Sequence, residues 1–452
     1  MTLSDVLQDF AFLSVLLIIG FILRKKIKIF QMALIPSAII AGVIGMLLGP
    51  DWLGQISPIY IPFTDSLSQW AGVLVCVVGS TLLLGVDLGK TSRSGLVCGV
   101  IGMNTLQIQL LIGIGIAALL GATVFPNLPF GSGQLGFYGF FLGHGNAATA
   151  GNIIVEAGLW DDALGVAMTY ATIGLLCGVI GGVIIINIAS RKGWTQKSMK
   201  LSDLSKSELT GYIEPEDRTE IGKGVTASNS VDPLAFGCAT IGTVIAIAWC
   251  VRKFLLVYFP NAASNVPLSV CVIVMSLVAN VFLHKTGLIK YLDMNVMRRI
   301  SGTALEFMIV ASLATTNISV FVNYGIPILI TSVVMLIATI IFSLGFAHRW
   351  CDQDWFEVGI GCYGQATGVT ATGLLLIRIV DPDNETSAAA ALNIANPICN
   401  FYMLPWLLIG TTAAFTASRV FTVVAIIVMI ILLAVGEIAF GGRKRKERRA
   451  KA

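Results

Sequence analysis

The chain has 452 residues, 56% of them hydrophobic and 12% charged, with a formal net charge of +4. That balance excludes a soluble globular protein and a nucleic-acid-binding one. It points to a polytopic membrane protein whose first partner is the lipid bilayer. The nine cysteines sit mostly in apolar runs and form no CxxC pair, so they read as small packing residues, not disulfides or metal ligands.

A membrane-spanning helix needs about 20 mostly apolar residues. Apolar runs of that kind predict spans at 8–23, 34–49, 67–86 and 95–120. The first run is followed by Arg24, Lys25, Lys26 and Lys28 and not preceded by charge, so no cleavable signal is expected. The stretch 137–156 is different. It is apolar at both ends, small and polar in the middle, and Gly143, Gly145 and Gly151 count against a regular helix. Unwound backbone at membrane depth survives only inside protein or beside a wet cavity. The expectation is a re-entrant hairpin whose tip, Gly143 to Asn152, binds a ligand. A fifth span follows at 163–189, then a polar linker from Ser190 to Val231.

Beyond the linker, spans are expected at 233–257, 266–284, 302–322 and 326–346, with an interfacial amphipathic helix over Lys285–Arg299. A second re-entrant hairpin at 355–378 has a Gly-rich core from Gly361 to Gly373, about half a chain after the first. Spans at 386–412 and 420–440 and a basic tail, Arg443 to Lys451, complete the chain. The fold class is thus all-α: an inverted repeat of five spans plus a hairpin in each half, with one extra C-terminal span, about 11 spans in all. The units are a first repeat over 1–189, a cytoplasmic linker over 190–231, a second repeat over 232–412, and the last span with its tail over 413–452.

Positive charge tests this count. With the N-terminus outside and the C-terminus cytoplasmic, only Arg252, Lys253 and Arg419 of the 29 Lys and Arg fall outside, and Arg378 falls in hairpin two. All the others lie on cytoplasmic segments, as the positive-inside rule requires. Hairpin one then dips from outside and hairpin two from the cytoplasm of a bacterial plasma membrane.

Hairpin one offers Gly143, His144, Gly145, Asn146 and Thr149 to a substrate, and Asn152 to a cation. An anionic amino acid needs N–H donors and positive helix ends, and Na⁺ needs carbonyl and hydroxyl oxygens. The alternative is that Gly and Asn serve packing and capping, with His144 an orienting hydrogen bond within the hairpin. Hairpin two offers Tyr363, Gln365, Thr367, Thr370 and Thr372. Threonines that bond back to helix carbonyls are the competing reading. Arg378 either forks onto a substrate carboxylate or snorkels to the cytoplasmic surface near Asp381. Thr172, in the span after hairpin one, and Asn393, Asn396 and Asn400, on one face of the span after hairpin two, are the remaining candidates for Na⁺. Interhelical hydrogen bonding is the alternative for the three asparagines. Glu306 reads as a surface or gating carboxylate, with a deep ion ligand as the alternative, and Gln107 and Gln109 as helix-packing amides.

Gly143-His144-Gly145, Val166-Ala167-Met168, Ala171-Thr172, Gly174-Leu175, Ile180-Gly181-Gly182, Gln109, Gly113-Ile114-Gly115, and the pattern Gly361, Gly364, Gly368, Thr370, Thr372 resemble the bacterial sodium/glutamate symporter family over roughly residues 70–410. Four positions depart from the pattern. Cys362 stands where His is expected and Ala371 where Pro is expected. Asn146 stands at a Thr-like position, and Pro405 near an expected acid. The resemblance implies Na⁺-driven uptake of L-glutamate by alternating access, two crossed hairpins at one site, Na⁺ as coupling ion with no organic cofactor, and a homodimer. Rival readings are the same machine carrying another small carboxylate, and a channel. An intramembrane enzyme has no H-E-x-x-H, nucleophile elbow or paired acids to stand on.

Overall fold

The computed structural model describes residues 2–441 apart from 33–34, 82–83, 85–92, 142, 196–209, 215–217, 219–221, 223, 227–229, 260–267, 317, 352–353 and 382–384. Lys90, Asn317, much of the polar linker and the basic tail therefore lie outside the described residues, as does the side chain of Ser319. The described residues are helical, with no strand among them. The first half runs α1 (Leu3–Lys26), α2 (Lys28–Met32), α3 (Ser37–Leu48), α4 (Leu67–Thr81), α5 (Arg93–Thr123), α6 (Gly133–Phe140), α7 (Gly143–Glu156) and α8 (Ala163–Arg191). The second runs α9 (Pro233–Tyr258), α10 (Leu268–Thr286), α11 (Met294–Ala314), α12 (Ile318–Trp350), α13 (Trp355–Thr367), α14 (Thr370–Val380) and α15 (Ala388–Pro405). A π-turn at Trp406–Gly410 and α16 (Thr411–Thr416) extend α15, and α17 (Ser418–Gly436) follows. Apart from the five-residue α2, one order therefore occurs twice among the described residues: three helices, one long helix, two consecutive short helices, one further helix.

Among the described residues, nine helices are long and apolar enough to cross a membrane. Two of the eleven expected spans, 67–86 and 302–322, are not among these nine. Helix α4 is described over 15 residues, up to Thr81, with 82–83 outside the described residues, and α11 carries Arg298, Arg299 and Glu306 within its 21. The expected interfacial helix at Lys285–Arg299 is not separate: only Leu288–Tyr291 forms a 3-10 turn, and Met294–Arg299 is already the start of α11. Asp293 caps that start, accepting from Asn295 N at 2.7 Å, which satisfies a donor the helix leaves free. The break between the expected spans 302–322 and 326–346 comes earlier than the hydropathy places it, after Ala314.

The helices sort into two bundles. In one, α1, α3 and α4 pack with α9, α10 and α11. Its core joins Leu13, Leu16, Val75, Met308 and Leu313. In the other, α5 to α8 pack with α12 to α15, and α17 covers α5. There Leu106, Phe137, Phe140, Val166, Met335 and Cys399 share one core. Buried Asp9 pins α1 to the strap before α4. It accepts from Thr64 N at 2.9 Å, Thr64 Oγ1 at 2.7 Å and Ser66 Oγ at 2.7 Å. A buried carboxylate needs donors of that number. The two bundles touch mainly where α7 and α8 meet α4 and α11.

Candidate functional site

Both unusual stretches are broken helices, and the breaks are shorter than expected. In the first, only 141–142 separates α6 from α7, and Gly145, Asn146, Thr149, Gly151 and Asn152 are all within a regular helix. The expected tip, Gly143–Asn152, is thus helical, and the break lies before it. Glycines inside a helix are tolerated where neighbours pack closely, and Gly151 sits against Leu164, whose Cα would be 2.7 Å from an added Cβ. The first arm also begins earlier, at Gly133. In the second stretch, Gly368 and Val369 interrupt α13 and α14. Those two arms cross glycine on glycine: a Cβ on Gly364 would lie 2.7 Å from Gly373 Cα.

The two breaks touch. Gly143 has φ +71°, and a Cβ there would meet Val369 Cγ1 at 2.5 Å and the Gly368 carbonyl oxygen at 3.4 Å. Helices α7 and α14 both start at this meeting point, and α6 and α13 both end at it. The starts leave backbone N–H groups free and carry partial positive charge. The ends leave carbonyl oxygens and partial negative charge. One small volume thus offers donors suited to an anion and oxygens suited to a hard cation.

A cavity of about 420 Å³ adjoins the point. His144, Asn146 and Thr149 line it from α7, Gly368 and Val369 from the second break, and Glu306 from α11 in the facing bundle. Thr172 Oγ1 gives its one proton to the Met168 carbonyl at 3.0 Å, so the 3.2 Å contact from His144 Nε2 has the ring nitrogen donating. That bond fixes the imidazole against α8. Thr149 donates back to Gly145 O at 2.8 Å. Asn146 is buried at 7% exposure and has no hydrogen-bond partner among the described residues, which leaves its amide for whatever fills the cavity.

The other candidates are elsewhere. Asn152 donates to Ala148 O at 2.9 Å and faces Gly72 of α4, away from the cavity. Gln365, Thr370, Asn396 and Asn400 form a second cluster that ties hairpin two to α15. Asn396 Oδ1 accepts from Thr370 Oγ1 at 2.8 Å, Gln365 Nε2 at 3.1 Å and Asn400 Nδ2 at 3.5 Å. In this arrangement that oxygen is occupied by donors. Asn393 is exposed on the same helix. Thr367 bonds back to Tyr363 O at 2.8 Å, and Thr372 packs beside Gly368. Arg378 is exposed in the last turn of α14, about 12 Å along the axis from Thr370 at 1.5 Å per residue. It stands at the base of the hairpin, not at its tip.

Sequence reasoning gave Gln109 only a packing role. Its amide nitrogen holds both Ala366 O at 2.7 Å and Thr339 Oγ1 at 2.8 Å, so it secures the last turn before the second break. Tyr363 does the same for the other side, donating to Cys177 O of α8 at 2.7 Å. A polar amide in an otherwise apolar run is the signal that could have marked Gln109.

Two broken helices in contact, beside a cavity between two helical bundles, define a polytopic helical membrane protein with an internal polar site. The family model for the sodium/glutamate symporter matches residues 2–381. The chain belongs to that family. It is 22% identical over 306 residues to the sodium/glutamate symporter of Escherichia coli (strain K12), covering 67% of this chain and 71% of that one. The sodium/glutamate symporter of Shigella flexneri matches to the same extent.

Proposed function

We propose that this protein is a secondary active transporter that carries L-glutamate into the cell with Na⁺. The carrying observation is the contact between the two breaks, Gly143 against Gly368 and Val369, beside the cavity. Paired helix starts favour the substrate carboxylates, and paired helix ends with nearby hydroxyls favour Na⁺. Cation binding first would offset carbonyl repulsion and ready the anion site, which couples the two. Family membership supports this pairing of solutes.

The two hairpins enter from opposite membrane faces in an inverted repeat. The recurring element order and the one-sided distribution of Lys and Arg support this. Alternating access moves the hairpin bundle, α5 to α8 with α12 to α15, against the bundle of α1, α3, α4 and α9 to α11. The cavity wall uses Pro36 at the start of α3, Val78 in the last described turn of α4 and Gly302, one turn beyond Arg298 on α11; the first two lie toward Arg24–Lys28 and Arg93 in sequence. On the positive-inside assignment the cavity therefore opens to the cytoplasm, and the arrangement is inward-facing. The protein works as a homodimer in the plasma membrane of a bacterium, with its N-terminus outside.

Uptake by proteoliposomes of a panel of labelled acids, with and without an inward Na⁺ gradient, tests the reading. Glutamate should accumulate only with the gradient. Accumulation of a dicarboxylate or hydroxy-acid instead overturns the substrate. Gradient-independent flux of any solute overturns the coupling.

A further inference from the structure

The cavity wall is chemically lopsided. From the hairpin bundle it presents amide, hydroxyl and imidazole groups on His144, Asn146 and Thr149. Among the described residues, the facing bundle presents small and apolar residues and a single charged side chain, Glu306. Among the described residues Glu306 is exposed and takes part in no hydrogen bond or ion pair. Arg298 and Arg299, earlier on α11, do not line the cavity. A carboxylate in the mouth of a site for an anion is unfavourable for that anion alone and favourable for a cation. Field lines focused by low-dielectric walls strengthen both effects.

Resting on the transport reading above, we propose that Glu306 is a specificity-determining residue of the inner vestibule. It lowers the site's affinity for the anionic substrate on the cytoplasmic side and raises it for Na⁺. Its place on α11, not on either hairpin, gives the effect a side. When the hairpin bundle moves toward the outer face, the tips leave Glu306 behind. The carboxylate thus acts on release and re-entry from the cytoplasm and not on capture from outside. Internal glutamate, with little Na⁺ beside it, rebinds poorly, which favours net uptake.

The test compares inverted and right-side-out membrane vesicles bearing the full-length wild type, Glu306→Gln and Glu306→Asp. In inverted vesicles at low Na⁺, Glu306→Gln should lower the apparent KM for glutamate on the order of tenfold, the effect of two like charges roughly 10 Å apart in a partly hydrated site. It should also raise the Na⁺ concentration needed for half-maximal flux. In right-side-out vesicles both constants should move less than twofold. Glu306→Asp, which keeps the charge, should match the wild type on both faces. Glu306→Ser serves as the neutral variant if the Gln form does not reach the membrane. An equal shift on both faces, or none on the inner one, overturns the inference while leaving the transport reading intact. A wild type that moves no glutamate overturns the transport reading and this inference with it.

Discussion

Substituting Gly143 by Ala probes the contact on which the proposed site is built. Two costs fall on one atom. The first is conformational: φ +71° is the left-handed region, which costs an L-residue with a side chain about 1–2 kcal/mol. The second is steric. The new Cβ would be 2.5 Å from Val369 Cγ1, so the second tip must retreat, at about 1–3 kcal/mol for an overpacked core site. Together they oppose the joined tips by about 2–5 kcal/mol, and each 1.4 kcal/mol is tenfold in an equilibrium. If the joined tips form the binding site, Na⁺-driven uptake per folded protein should fall at least thirtyfold. Val369→Ala should recover only the steric share, so Gly143→Ala with Val369→Ala should transport better than Gly143→Ala alone and worse than wild type. Uptake in proteoliposomes, normalised to protein that elutes as a monodisperse peak in detergent, gives the comparison. A Gly143→Ala protein that transports like wild type refutes the reasoning, because the tips would then not need their present contact.

Asn146→Ala should raise the KM for the carried anion about tenfold or more, with thermal stability unchanged. Its amide serves no hydrogen bond among the described residues, and a hydrogen bond to a charged group is worth about 1.5–3 kcal/mol; an unaltered KM would remove Asn146 from the site. Asn396→Ala breaks the node shared by Gln365, Thr370 and Asn400 and should destabilise the protein by about 1–3 kcal/mol while speeding hydrogen exchange in α14. Exchange that stays at the wild-type rate would show that the cluster does not hold the second hairpin. Asp9→Ala strands the donors of Thr64 and Ser66 and should lower the melting temperature in detergent. The KM should stay at its wild-type value, since neither Asp9 nor its partners Thr64 and Ser66 line the cavity; a changed KM would contradict that separation.

Much of the architecture was legible in the chain because the bilayer imposes a coarse rule. An apolar run near 20 residues must be a helix, and most such runs here are. The rule fails where burial in protein replaces burial in lipid. Helix α11 tolerates Arg298, Arg299 and Glu306 because its ends and one face meet water or the other bundle, so hydropathy misplaced its start by about two turns. The glycines of hairpin one marked the right neighbourhood but exaggerated the break. Gly145 and Gly151 are helical, and only Gly143 has the backbone that a helix forbids.

The sequence by itself determined that this chain is a polytopic helical membrane protein and that each half carries one interrupted helix with polar residues near the interruption. Periodicity and composition are local properties, and local properties suffice for those conclusions. Only the tertiary structure decided that the two interruptions touch, that Asn146 and Glu306 face one cavity while Asn152 and Arg378 do not, and that Asn396 gathers donors from hairpin two. Those facts depend on which helix faces turn toward each other across more than 200 residues of chain. That choice is made by packing, through Gly364 on Gly373 and Gly143 on Val369, and no local pattern of residues encodes it.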